Sequence, residues 1–342
     1  MSNYYDRDPW DLPDPPSALY KGDDEPPDNN QSGSWILKLW LKSNIIFGGL
    51  ILFYGFAGWL NMILRRFPQV SSWLDAQSDL FWEIAFLILT MVAFIIPCLL
   101  IAKMISIPAK EAFPIRRTRP GILLAAVGCC LGASVIGVYL SSIMTVLFQN
   151  IASVTPTMPD ILPELPDRIT LIVRLLSLTF VASIFEELLF RGVIMQSLRR
   201  YGDIFALVVS SALFALTHQN MVQAPNAFVV GMVFGYFTLR TGTLIVPIVM
   251  HLVNNTFAGL LGIYTQGAAV EEIIRVNTIY LIGCVLVGLS GYFYMKGKEG
   301  GFAMPESQWA KLPGLKYIVF IATPLAAIYF IWTIRSIMTF FD

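Results

Sequence analysis

Thr170–Met195 reads TLIVRLLSLTFVASIFEELLFRGVIM, an apolar run that holds two adjacent acids and an arginine, Glu186-Glu187-Leu-Leu-Phe-Arg191. A membrane-crossing helix needs roughly 20 mostly apolar residues, and this stretch supplies them. Ionisable groups at that depth cost on the order of 3 kcal/mol or more each, so their presence is a functional signal by default. Working outward, the sequence contains two histidines, and both lie in the apolar stretches that follow. His218 closes Phe214-Ala-Leu-Thr-His218, and His251 opens His251-Leu-Val-Asn-Asn255. Two acids, an arginine, two histidines and an amide thus gather along neighbouring spans.

The whole chain fits the same picture. Its 342 residues are 56% hydrophobic and 13% charged, with a mean hydropathy of +0.66, which is outside the range of soluble domains. The fold class expected is all-α, a polytopic bundle of about eight or nine transmembrane helices. Candidate spans are 45–64, 81–104, 121–148, 170–195, 203–220, 225–240, 243–263, 277–295 and 316–339. A formal net charge of zero gives no footing for nucleic acid. Cys98, Cys129, Cys130 and Cys284 all fall in apolar runs without CxxC spacing, so they read as small packing residues.

Residues 1–34 are rich in Asp and Pro, a composition that cannot bury enough apolar surface to order itself. The chain is therefore divided into a disordered acidic tail (1–40) and a membrane domain (41–342). The tail lacks the basic start and short apolar core of a cleavable signal. Lys103, Lys110, Arg116, Arg117, Arg119, Arg199, Arg200, Arg240, Lys296, Lys298, Lys311 and Lys316 fall in alternate loops. With nine spans, these loops share one side with the N-terminus, which the positive-inside rule makes cytoplasmic. Arg65-Arg66 dissents.

Spacing separates two tasks within the acidic pair. Glu187 and Arg191 are i,i+4 partners on one helix face, the favourable order for an ion pair, whereas Glu186 points about 100° away. Arg191 then neutralises Glu187, and Glu186 is left facing a cavity as a general base for water. The turn Arg199-Arg200-Tyr201-Gly202-Asp203 reverses the chain. Glu186 to Arg200 is about 21 Å of helix and Asp203 to His218 about 22 Å, so Glu186 and His218 reach similar depths. His251 and Asn255 are again i,i+4 and offer two donors to a developing oxyanion. Alternatively, Glu186, His218 and His251 are zinc ligands, since His₂Glu with an open water position is a catalytic set. Phe214 reads as packing beneath His218, Gly231-Met-Val-Phe-Gly235 as a face for close helix packing, and Arg174 as a snorkelling or lead-in residue.

Glu186-Glu187-x-x-x-Arg191, Phe214-x-x-x-His218 and His251-x-x-x-Asn255, in this order, resemble the CPBP family. That group comprises type II CAAX prenyl proteases and bacteriocin-processing intramembrane peptidases, also called Abi proteins. The resemblance covers about residues 165–265. It implies an intramembrane endopeptidase, often classed as a metalloprotease, with a water-filled catalytic cavity. By that likeness Glu186 and His218 activate water, His251 and Asn255 form the oxyanion hole, and Glu187 and Arg191 complete the first motif. The partners implied are membrane lipid and a membrane-anchored substrate, either a prenylated CAAX protein or a precursor peptide. Rival readings are a proton-coupled transporter with a Glu/His relay and a catalytically idle immunity or scaffold protein. The transporter reading lacks a visible inverted repeat.

Overall fold

The computed structural model describes residues 34–152, 167–302 and 314–338; the tail expected at 1–40 lies outside them up to Gly33. All described secondary structure is helical. Six helices are long and apolar enough to cross a membrane: α1 (Ser34–Leu64), α2 (Asp79–Ile105), α3 (Pro120–Ala152), α4 (Arg168–Tyr201), α7 (Ile245–Thr265) and α8 (Val270–Lys298). Between α4 and α7 lie α5 (Asp203–Leu216) and α6 (Gln223–Thr241). At the end come α9 (Leu315–Ile321) and α10 (Pro324–Met338), bent by 73° and together a seventh span if they cross as one. The chain is an integral multi-pass membrane protein.

The nine expected spans all correspond to helices, but six or seven rather than eight or nine qualify as crossings. The difference comes from the middle of the chain. α5 has 14 residues, about 21 Å of helix against a hydrocarbon core of about 30 Å. It ends at Leu216, which places His218 in the turn after the helix rather than on it. At the start, α1 begins at Ser34, so the 1–40 boundary cut into a helix.

Glycine sets the closest helix contacts. A Cβ on Gly288 would lie 2.6 Å from Gly132 Cα, and one on Gly291 would lie 2.5 Å from Ala125 O. α3 and α8 therefore touch backbone to backbone, where dispersion replaces the hydrophobic drive that lipid cannot supply. Cys129 sits in this seam, and both Cys129 and Cys130 are free thiols. The reversal between α4 and α5 uses Gly202 at φ 118°, which a side chain would strain. Arg199 Nε donates to Asp203 Oδ1 at 2.8 Å across the same turn.

The basic loops meet at one end of the bundle. Leu244 N donates to Pro114 O (2.9 Å), Arg116 N to Thr243 Oγ1 (3.0 Å), and Arg240 Nη2 to Glu299 O (2.8 Å). Lys316 Nζ donates to Tyr201 O at 3.1 Å, placing a cation on the C-terminal carbonyls of α4, the favourable end of the helix dipole. Arg65, the dissenting charge, is paired with Asp75 at 2.8 Å. Arg174 does not snorkel: it is ion-paired to Glu83 of α2, both side chains being largely buried. A guanidinium whose carboxylate partner stands on the neighbouring helix has no need to reach for water.

Candidate active site

The acidic motif lies where α4 departs from regular α-helix. Leu176–Val181 and Leu188–Ile194 are π-helical, with α-helix at Ala182–Glu187 between them. A π-turn widens the helix and loosens its hydrogen-bond ladder, leaving carbonyls for other donors; such turns occur frequently at functional sites. One such carbonyl is taken at once. Asn255 Nδ2 of α7 donates to Leu178 O at 3.2 Å, tying α7 to the first π segment.

Glu187 and Arg191 form the expected pair, Nη1 to Oε1 at 2.9 Å, with neither side chain exposed. Removing two charges from water is expensive unless every remaining group is engaged, and the surroundings do this in part, for Glu187 Oε2 and Arg191 Nε are buried without a hydrogen bond. Arg191 Nη2 donates to Gly231 O at 2.9 Å. The guanidinium carbon stands 4.4 Å from the Phe214 ring centroid and 5.2 Å from that of Phe234, contacts worth about 2 kcal/mol when desolvated. Gly231 is close packing, as expected, and more: a Cβ there would lie 2.9 Å from Arg191 Nη2.

His251 joins the two acids. Its Nδ1 lies 3.0 Å from Glu187 Oε1, and its Nε2 lies 3.7 Å from Glu186 Oε2. With a carboxylate as the only acceptor, Nδ1 carries the proton of that contact. The ring stacks on Phe234 (4.9 Å, 27°) and meets the edge of Phe214 (5.6 Å, 88°). Glu186 has 19% of its side chain exposed against none for Glu187. Of the two adjacent acids, one is sealed and one opens outward.

His218 completes the group from the other side of Phe214, its ring 5.1 Å away at 86°. Its Nδ1 meets Phe214 O at 3.0 Å. A carbonyl accepts only, so Nδ1 bears the hydrogen and Nε2 keeps its lone pair. Phe214 is thus the shared floor of both histidines and of Arg191. The zinc set expected as an alternative needs Glu186, His218 and His251 to converge. Among the described residues no three His, Cys, Asp or Glu side chains are grouped to hold a metal ion. His251 Nδ1 is engaged by Glu187, and its Nε2 faces Glu186.

Three features escaped the linear reading: the π segments, the Leu178 carbonyl on Asn255, and Phe234. None has a spacing signature, because each depends on which helix lies opposite.

Residues 168–257 match the family model of type II CAAX prenyl endopeptidase Rce1-like proteins. This stretch holds all three motifs described above. It is similar to an Rce1-like CAAX prenyl endopeptidase domain. A protein of Staphylococcus aureus (strain USA300), named membrane-embedded CAAX protease MroQ, is 31% identical over 111 residues, covering 30% of this chain and 45% of that protein. An uncharacterized 24.3 kDa protein of Escherichia coli is 31% identical over 105 residues, covering 29% of this chain and 47% of that protein. The chain thus spans about half the length of the curated relatives it matches. No solved structure matches it. α1, α2, α3 and the C-terminal helices lie outside the Rce1-like stretch and pack around it.

Proposed function

We propose that this protein is an intramembrane endopeptidase that hydrolyses a peptide bond of a membrane-tethered substrate, with Glu186 and His218 activating the water. The observation that carries the reading is the unequal treatment of two neighbouring carboxylates. Glu187 is fully buried and committed to Arg191 and His251, while Glu186 keeps an exposed edge near them. A structural ion pair needs only one acid; the second is free to act as a base.

In the reaction, the Glu186 carboxylate takes a proton from water as the water oxygen bonds to the scissile carbonyl carbon. His218 Nε2 accepts the water's other hydrogen in a hydrogen bond and orients it. The carbonyl π electrons move to oxygen, and the resulting oxyanion is met by His251 Nε2–H when the ring is protonated, and by the second N–H of Asn255. The C–N bond then breaks, its electron pair staying on nitrogen, which takes the proton back from Glu186. The products are a carboxylic acid and an amine. Preorganised donors in a dry site are commonly the largest catalytic term in acyl transfer. The reading is of a metal-free mechanism, with Glu186 as the base.

The substrate class follows the resemblance: a prenylated CAAX-type protein or a precursor peptide held at the bilayer. The basic end of the bundle supports a cytoplasmic N-terminus by the positive-inside rule. The direct test is peptide cleavage by the purified chain, wild type against Glu186→Gln, with and without chelator. Loss of cleavage in the variant and indifference to chelator are expected. Equal turnover of the two forms would overturn the reading.

A further inference from the structure

A cavity of about 560 Å³ lies among α3, α5, α6 and α8, away from the catalytic group. α6 divides the two. Its Gly231 and Phe234 close over Arg191 and His251, whereas Met232, Val233, Tyr236 and Phe237 line the cavity. At about 100° per residue, these two sets occupy opposite faces of the helix. The volume falls within the range of about 300–1,000 Å³ usual for small-molecule sites. Leu207 of α5 and Phe237 are buried at its floor, while Ile136 of α3 and Val285 and Leu289 of α8 are exposed along its rim. In a multi-pass membrane protein such an apolar rim faces lipid, so the cavity opens sideways to acyl chains.

The two ends of the cavity differ. Phe302 stacks on Tyr292 (5.5 Å, 13°) and lies 5.7 Å from Tyr236, a cluster of rings of the kind found where hydrocarbon meets headgroups. Cations follow on the same faces. Arg240 is four residues beyond Tyr236 on α6, and the exposed Lys296 is four beyond Tyr292 on α8. That spacing keeps each on the face that lines the cavity, about 6 Å farther along. Arg240 Nη2 donates to Glu299 O at 2.8 Å, and Arg119, at the start of α3, stands 3.8 Å from Glu299 Oε1. Arg119, Arg240 and Lys296 outnumber the acid between them. From Lys298 to Val285, deep in the cavity, is about 20 Å of helix, close to the depth of one leaflet with its headgroups.

We propose that this cavity binds an anionic phospholipid, with one acyl chain between α3, α6 and α8 and the headgroup beside Lys296, Arg240 and Arg119. The apolar lining and the lateral rim suit the chain, and the cations at the ring-bearing end suit a negative headgroup; basic pockets between membrane helices hold lipids of this class. A chain seated there backs the helix whose other face holds Arg191 and His251. The site goes beyond the endopeptidase reading and does not depend on it.

The test incubates the full chain in detergent with equal amounts of phosphatidylglycerol and phosphatidylcholine bearing the same chains, and counts retained lipid by native mass spectrometry. Wild type should keep one phosphatidylglycerol in clear preference to phosphatidylcholine, and Glu186→Gln should do the same. Ala133→Phe, which fills the cavity from α3, should weaken retention about tenfold, as fewer methylenes are buried. Lys296→Gln, a surface change that leaves the packing alone, should weaken it about fivefold. Equal retention of the two lipids by wild type overturns the proposal. So does wild-type retention in a folded Ala133→Phe protein; if that variant does not fold, Lys296→Gln decides, and wild-type retention there overturns it. Displacement of the phospholipid by excess farnesylated peptide assigns the cavity to a prenyl chain instead and overturns it as well.

Discussion

The two sides of α4 around Glu186 and Glu187 have opposite surroundings. On the Glu187 side every neighbour is fixed: Arg191, His251, Gly231 O and two phenylalanine rings close over a carboxylate with no exposure. On the Glu186 side the carboxylate keeps 19% exposure and has one loose contact, to His251 at 3.7 Å. Adjacent residues on a helix differ by about 100° in direction, enough to separate a structural acid from a reactive one. The sealed side holds α4, α6 and α7 together, and its rigidity positions the open side.

The sharpest way to break this contrast is to remove charge from each side in turn. Glu186→Gln should lower turnover by about 10²–10⁴-fold or more while the thermal midpoint stays within a degree or so of wild type, read by peptide cleavage and by unfolding in detergent. Glu187→Gln should do the reverse in emphasis. It strands Arg191 in the interior, and breaking a buried pair typically costs about 3–5 kcal/mol, so a large fall in unfolding temperature is expected. If both variants lose activity equally and neither loses stability, the two acids are not divided in this way.

Asn255→Ala tests whether the amide belongs to the open side or only to the π segment it holds. A donor to the oxyanion predicts a drop in turnover of about 10²–10³-fold with little change in KM. An amide that only satisfies Leu178 O predicts about 1 kcal/mol of stability and little kinetic change. Steady-state kinetics beside thermal unfolding distinguish the two. Gly231→Ala probes the seal by volume alone. Its Cβ would lie 2.9 Å from Arg191 Nη2 and 3.2 Å from Phe214 Cδ1, so a loss of about 1–3 kcal/mol is expected from overpacking.

The smallest effect belongs to the entry of α4. Asp167 caps the helix by accepting from Ile169 N and Thr170 N. Hydrogen bonds from the Thr170 side chain and backbone hold its carboxyl below the usual carboxylate range. A depressed carboxyl stabilises the fold above its unfolded-chain value of about 3.9 and loses that contribution as pH falls through its lower folded value. Hydrogen-exchange protection at Ile169 and Thr170, taken relative to the intrinsic rate at each pH, should accordingly fall in acid, and Asp167→Ala should show the same loss of protection at neutral pH. The active-site end of α4 should not respond to either change.

Much of this contrast is legible in the linear sequence. Apolar length makes the chain a helical membrane bundle, and i,i+4 spacing pairs Glu187 with Arg191 and turns Glu186 away. These are consequences of helix geometry, which a single segment carries within itself. α5 itself ends at Leu216, so His218 stands in the turn that follows it rather than on the helix. Six or seven of the described helices are long and apolar enough to cross, near the expected eight or nine, and the 14 residues of α5 are shorter than a span requires.

What the sequence by itself determined is therefore local: membrane helices, the pairing within α4, and the set of polar residues that must converge. The tertiary structure alone decided how they converge. It put His251 between both glutamates rather than beside Asn255 alone, gave Phe214 to three functional groups at once, and widened α4 into π-turns where α7 leans on it. It also packed α1 against α10, from opposite ends of the chain, and tied α10 to Gln219 beside His218. Helix periodicity fixes which face a side chain occupies, but the partner across that face depends on packing between segments distant in sequence, and no local spacing encodes it.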